Sequence, residues 1–194
     1  MPAEVPGKKK IGVLALQGDF EAHGRALARA GAEPVEVRSA AELAKVDGLV
    51  IPGGESTTMW KLLEEEKLLE PLREFGRSRP VFGTCAGAIL LATDVTNPAQ
   101  ASLGLMDIGV ERNAYGRQLD SRIAKLRPAG LEGDLEAVFI RAPIIRRVGG
   151  DARVLATYQD NPVLVEQGRH LVATFHPELT DDPRVHLMFL SKVQ

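Results

Sequence analysis

Val81-Phe82-Gly83-Thr84-Cys85-Ala86-Gly87-Ala88-Ile89-Leu90-Leu91-Ala92 sets an apolar pair against a Gly-x-Cys-x-Gly turn, followed by an uncharged run. The pair at 81–82 reads as a short buried strand and residues 86–92 as a helix, with the turn between them. The same alternation recurs upstream. Residues 11–16 form a continuous apolar run suited to a strand covered on both faces. A helix is predicted over 19–30, with Gly31 as its stop. Residues 35–37 and 49–51 are further strands, the second broken by Pro52-Gly53-Gly54. Between them Ser39 caps a brief helix through Lys45. Ser56 is the expected N-cap of a helix over 57–66, and 68–75 continues helically to Gly76. Repeated strand–helix units of this length imply a parallel sheet with helices on both faces.

Downstream, 107–112, 121–126, 135–140, 152–158, 163–166 and 171–175 read as strands, with Gln167-Gly168-Arg169 as a hairpin turn. Asp182 and Pro183 open a closing helix as N-cap and first helical residue. The expected fold is α/β, three layers around a mostly parallel sheet with an antiparallel extension. A chain of 194 residues fits one domain, here 11–194, after a flexible tail at 1–10.

Composition excludes several functions. One cysteine permits no intrachain disulfide and no cysteine-rich zinc site. A net charge of −2 lacks the concentrated positive field of a nucleic-acid or anionic-membrane binder. The longest uncharged stretch, 81–93, is too short and glycine-broken to span a bilayer. The apolar run after the Lys8-Lys9-Lys10 cluster ends at Gln17 without a cleavage-like site, so no signal peptide is read. A cytoplasmic protein without cofactor or metal is expected.

Glycines flanking Cys85 allow the tight strand-to-helix turn of a nucleophile elbow. That turn holds the thiol at the carboxyl end of the sheet, where α/β folds bind ligands. The helix start favours thiolate, and the Ala86 N–H can point at a developing oxyanion. A nucleophile needs a base held by a third group. Of His23, His170, His176 and His186, the first and last fall in helices, where a solvated face is open to either. His176 ends a strand in His-Pro-Glu. Pro177 keeps it out of helical backbone, and in extended backbone Glu178 projects to the same side. Pro52-Gly53-Gly54-Glu55-Ser56 also joins a strand to a helix, and its glycines expose N–H groups suited to an anion, with Gly54 a second oxyanion donor.

These elements, in this order, resemble class I (triad) glutamine amidotransferases. PGGESTT at 52–58, FGTCAG at 82–87, ERNAYGRQ at 111–118, FIRAP at 139–143 and FHPELT at 175–180 are similar to the glutaminase subunits of pyridoxal 5′-phosphate synthase. The resemblance implies a flavodoxin-like fold, glutamine hydrolysis, and a triad of Cys85, His176 and Glu178. It places Gly54, Glu55, Ser56, Arg112, Ile140 and Arg141 around glutamine. Arginine suits the substrate carboxylate, and Glu55 or a backbone carbonyl suits its ammonium. It also implies a partner, the barrel-fold synthase subunit, because one glutaminase domain leaves no residues for an ammonia acceptor. Gln17 and the turn at 18–20 are expected to help docking or complete the oxyanion site, a plain strand-to-helix turn being the alternative. Two other readings stay open on the residues alone: a peptidase or deglycase-like cysteine hydrolase, and a non-enzymatic sensor with an oxidisable cysteine.

Overall fold

The computed structural model describes residues 7–114 and 121–194. Its central sheet has seven strands in the order β10-β11-β12-β4-β3-β1-β2. These are β1 (Lys10–Leu14), β2 (Glu33–Val37), β3 (Gly48–Ile51), β4 (Val81–Thr84), β10 (Arg153–Tyr158), β11 (Asn161–Gln167) and β12 (His170–Ala173). The five from β12 to β2 run parallel, and β11 and β10 extend the sheet antiparallel. Gln167 pairs with His170 across the expected hairpin turn.

Strand alternation divides the core between two faces. Leu14, Leu49, Ile51, Val81 and Val172 face α2 (Ala40–Leu43), α3 (Ser56–Glu65), α4 (Leu69–Ser78) and α5 (Ala86–Leu91). Ile11, Val13, Val50, Phe82 and Leu171 face α1 (Phe20–Arg29) and α6 (Arg184–Leu190). The expected three layers are therefore present. Two small sheets flank them: β5 (Ala92–Thr96), β6 (Met106–Glu111) and β9 (Ile144–Val148), and the pair β7 (Arg122–Leu126) and β8 (Leu135–Phe139).

Several local expectations are corrected. Lys10 belongs to β1, and Lys9 Nζ donates to the Leu190 and Val193 carbonyls, so these residues are tied to the fold. Gly76 does not stop α4. A Cβ there would come within 2.7 Å of Leu105, so glycine admits that side chain while the helix runs on. Pro183 is the cap position of α6, and Asp182 still caps from outside by accepting from the Arg184 N–H at 3.0 Å. Strands β5 and β9 were not expected. Among the described residues no helix is long and apolar enough to cross a membrane.

Candidate active site

Four adjacent parallel strands deliver the site in a row. β12 leads to His176, β4 to Cys85, β3 to the Pro52–Ser56 turn and β1 to Gln17. All four loops leave the carboxyl edge, where an open α/β sheet has its crevice.

Cys85 sits between β4 and α5 at φ 51, ψ −106, a backbone state that a side chain rarely adopts. Its N–H is anchored on the Ala173 carbonyl at 2.9 Å. Both flanking glycines are required by space. A Cβ at Gly83 would lie 2.5 Å from the Gly87 carbonyl, and one at Gly87 would lie 2.1 Å from the Ile51 oxygen. The thiol lies beside the Ile140 carbonyl, Sγ to O 3.9 Å, in the loop after β8. Arg141 follows at φ 45, with its side chain exposed.

His176 is buried, and its backbone N–H is held by the Val138 carbonyl at 2.8 Å. Its Nδ1 is 2.6 Å from Glu178 Oε1. The pairing arises from a 3-10 turn, Pro177–Leu179, rather than the extended backbone expected from the sequence. Proline starts that turn with its fixed φ, and Glu178, the next residue in it, reaches the His176 ring edge at Nδ1. Burial alone would lower the His176 pKa. Hydrogen bonds to Cys85 and Glu178, with their charges, overcome it and raise the value to about 10. The imidazole therefore carries a proton at neutral pH. With Nδ1 committed to the carboxylate, Nε2 is the nitrogen left for the thiol.

The Pro-Gly-Gly turn packs directly on this pair. A Cβ at Gly53 would meet His176 Cε1 at 2.7 Å and Cys85 Cβ at 3.3 Å. Gln17 clamps the turn from the other side, its Oε1 accepting from the Glu55 N–H at 3.0 Å. Gly18, at φ 90, lies so close that a Cβ would overlap the Gly53 oxygen.

Residues 13–194 match the model of the SNO glutamine amidotransferase family. The chain belongs to that family. It is 66% identical over 191 residues to the pyridoxal 5′-phosphate synthase subunit PdxT of Solibacter usitatus, covering 95% of this chain and 100% of that one. The PdxT of Koribacter versatilis is 55% identical over 185 residues, covering 95% and 96%. A crystal structure of a glutamine amidotransferase superposes with TM-score 0.89 at 49% identity, over 94% of this chain and 97% of that one. The PurLQS structure from Thermotoga maritima, 18% identical with TM-score 0.72 over 95% and 99%, shares the fold.

In this SNO-family chain the N-cap of α3 is Glu55, not Ser56. The longer carboxylate accepts from the Thr57 and Thr58 N–H groups at 3.2 and 2.7 Å, and from both threonine hydroxyls. The Thr57 hydroxyl leads these bonds in holding the Glu55 carboxyl at about 2, against a smaller upward push from burial. Arg112 Nη2 stands 3.5 Å from Glu55 Oε1. Glu55 is thus occupied in shaping the turn and fixing Arg112, which weakens the expectation that it holds an ammonium. Ser56 is buried in the first turn of α3 and donates to Gln100 Oε1 at 2.8 Å, a partner that no sequence signal marked. Tyr115 to Gln118 of the ERNAYGRQ stretch lie outside the described residues.

His23 and His186, for which a solvated helix face was open, are both fully buried. Burial first, and for His186 the nearby charge of Arg29, pushes the imidazoles down: His23 well below its usual range, His186 to about 4. His170, which accepts from the Val81 N–H at 3.1 Å, is likewise lowered to about 4, chiefly by burial. These depressed groups favour the fold above an unfolded pKa near 6.5. Their contribution is lost as pH falls toward 4, on the order of 3 kcal/mol for each of His170 and His186. His176 has the opposite sign. Its contribution is complete below about 6.5 and disappears as pH rises through about 10. Thermal melts across pH 4–10 should therefore peak near 6.5 and fall by roughly 10 °C or more toward pH 4. A flat acid side would contradict this reading.

Proposed function

We propose that this protein hydrolyses L-glutamine to L-glutamate and ammonia through Cys85, His176 and Glu178. It hands the ammonia to a barrel-fold synthase subunit that builds pyridoxal 5′-phosphate. Residues 11–194 act as one glutaminase domain. The observation that carries the reading is a strained cysteine on the elbow after β4, beside a buried histidine from β12 whose Nδ1 meets Glu178 Oε1 at 2.6 Å.

The Cys85 thiolate attacks the carbonyl carbon of the side-chain amide. The resulting oxyanion is met by the N–H groups of Ala86 and Gly54; losing one such donor typically costs ~3–4 kcal/mol. The C–N bond then breaks, and the His176 imidazolium gives its proton to the departing nitrogen, releasing ammonia. His176, now neutral, takes a proton from water as that water attacks the γ-glutamyl thioester. The thiolate leaves, and glutamate is formed. Arg112, 3.5 Å from Glu55, suits the substrate α-carboxylate, and the Ile140 carbonyl beside the thiol, with Arg141 next in the chain, suits the other end of glutamine. Ser56, at the start of α3 beside Glu55, is held by Gln100.

Free ammonia would protonate and escape at neutral pH, which favours direct transfer to a docked acceptor. The relatives named as synthase subunits fit that arrangement. A glutaminase assay with and without the synthase subunit tests it. Glutamate release that rises when the subunit is added is expected; a complex that leaves glutamine intact would overturn it. Peptide turnover would favour the peptidase reading instead.

Gln17 holds the Glu55 amide and through it the turn that carries Gly54. Gln17→Ala is expected to lower partner-stimulated glutaminase by about tenfold, the scale of losing one supporting hydrogen bond in a preorganised site. Unchanged stimulation would remove Gln17 from the mechanism.

A further inference from the structure

Behind the triad lies a polar chain that the reaction above does not use. His23 Nδ1 is 3.0 Å from His186 Nε2, and His23 Nε2 is 3.0 Å from Thr84 Oγ1. The same Nε2 faces Glu178 Oε2 at 3.4 Å, and that buried oxygen has no regular hydrogen-bond partner among the described residues. All four side chains are buried, and Phe82 meets both imidazoles edge-on.

The tautomers follow from this arrangement. His23 is neutral, because complete burial, before any neighbouring charge, holds its pKa well below the usual range, so it carries one N–H. If that proton were on Nδ1, the bare Nε2 lone pair would face a carboxylate. His186 would then have to accept at Nε2 and leave its Nδ1–H buried without a partner, since Nδ1 has none. With the proton on His23 Nε2, His186 Nε2–H donates to His23 Nδ1. Only an acceptor lone pair is then left over on His186, the cheaper orphan.

We propose that His23, backed by His186, is a positioning residue for the triad. Its Nε2–H, shared between Thr84 Oγ1 and Glu178 Oε2, fixes the carboxylate so that Oε1 stays aimed at His176 Nδ1. His23 also ties Thr84, the residue before the nucleophile, to the carboxylate that orients the base. One helix therefore serves two halves of the site, since α1 starts directly after the Gln17 turn. The inference rests on the triad reading, and its test separates the two.

Glutaminase is measured on the complex with the synthase subunit, with rates expressed per Cys85 labelled by diazo-oxo-norleucine. Wild type must turn over glutamine and Cys85→Ala must not; failure there overturns the triad reading and this inference together. With that control met, His23→Leu is expected to lower kcat about 10- to 100-fold, the scale of outer-layer partners, with KM little changed. His23→Gln, whose amide N–H reaches the Nε2 position, is expected to restore most of the loss. A His23→Leu protein with a lowered melting temperature but full kcat would overturn the inference and leave the triad standing. If that variant does not fold, His186→Leu decides. It frees His23 to exchange tautomers, so a fall in kcat at constant KM supports the inference and an unchanged kcat overturns it.

Discussion

Cys85→Ala is expected to lower kcat for glutamine hydrolysis by at least about 10^4-fold, while the folded protein and its melting temperature persist. The expectation comes from position as well as residue type. The thiol is the only cysteine in the chain, and it projects from a backbone at φ 51, ψ −106. Such strain persists where the surroundings over-determine it, here through the Ala173 carbonyl and two glycines that permit no Cβ. An alanine there keeps every backbone contact and deletes the thiol proposed as nucleophile. Glutamate release by the purified variant complex, measured against wild type, reads the effect. Retained turnover would show that glutamine is attacked by some other group.

Glu178→Gln is expected to cost roughly 10^3–10^4 in kcat with little effect on the fold, as for the orienting carboxylate of other triads. Each carboxylate oxygen faces an imidazole nitrogen: Oε1 is 2.6 Å from His176 Nδ1, and Oε2 stands 3.4 Å from His23 Nε2, the contact proposed above to hold it. An amide presents one oxygen and one NH2. Either orientation sets a donor against an N–H, so the His176 tautomer or the His23 contact is lost. The same change removes a charge that raises the His176 pKa toward about 10, leaving less imidazolium to protonate departing ammonia. The pH–rate profile of the variant should lose activity at a lower alkaline pH than wild type.

The elbow was legible in the sequence because a unique cysteine between two glycines has a narrow set of backbone solutions. The order of strands, which brings Cys85, His176, the Gly53-Gly54 turn and Gln17 into one row, was not. It depends on β12 inserting beside β4, a long-range pairing with no local signature. His176 and Glu178 are legible as a pair but not in their local geometry, since proline starts a tight turn as readily as it ends a strand. Serine is a favoured cap residue, so the sequence points to Ser56. Glu55 took the position because its carboxylate reaches two N–H groups and two hydroxyls at once.

The buried histidines carried a signal in their spacing. His23 lies three and four residues before Ala26 and Leu27, and His186 three and four before Phe189 and Leu190. In a helix those intervals share a face, so each histidine belongs to the apolar side. Strands β5 and β9 were missed for the opposite reason. β5 follows α5 with no turn residue between, and β9 mixes Ile144 and Ile145 with Arg146 and Arg147.

Covalent labelling by diazo-oxo-norleucine, located by peptide mass spectrometry on the complex, tests the central claim most directly. The account predicts one adduct, on Cys85, forming in step with loss of glutaminase and slowed by glutamine. Inactivation with the adduct on another residue, or Cys85 labelling that glutamine does not slow, would contradict it.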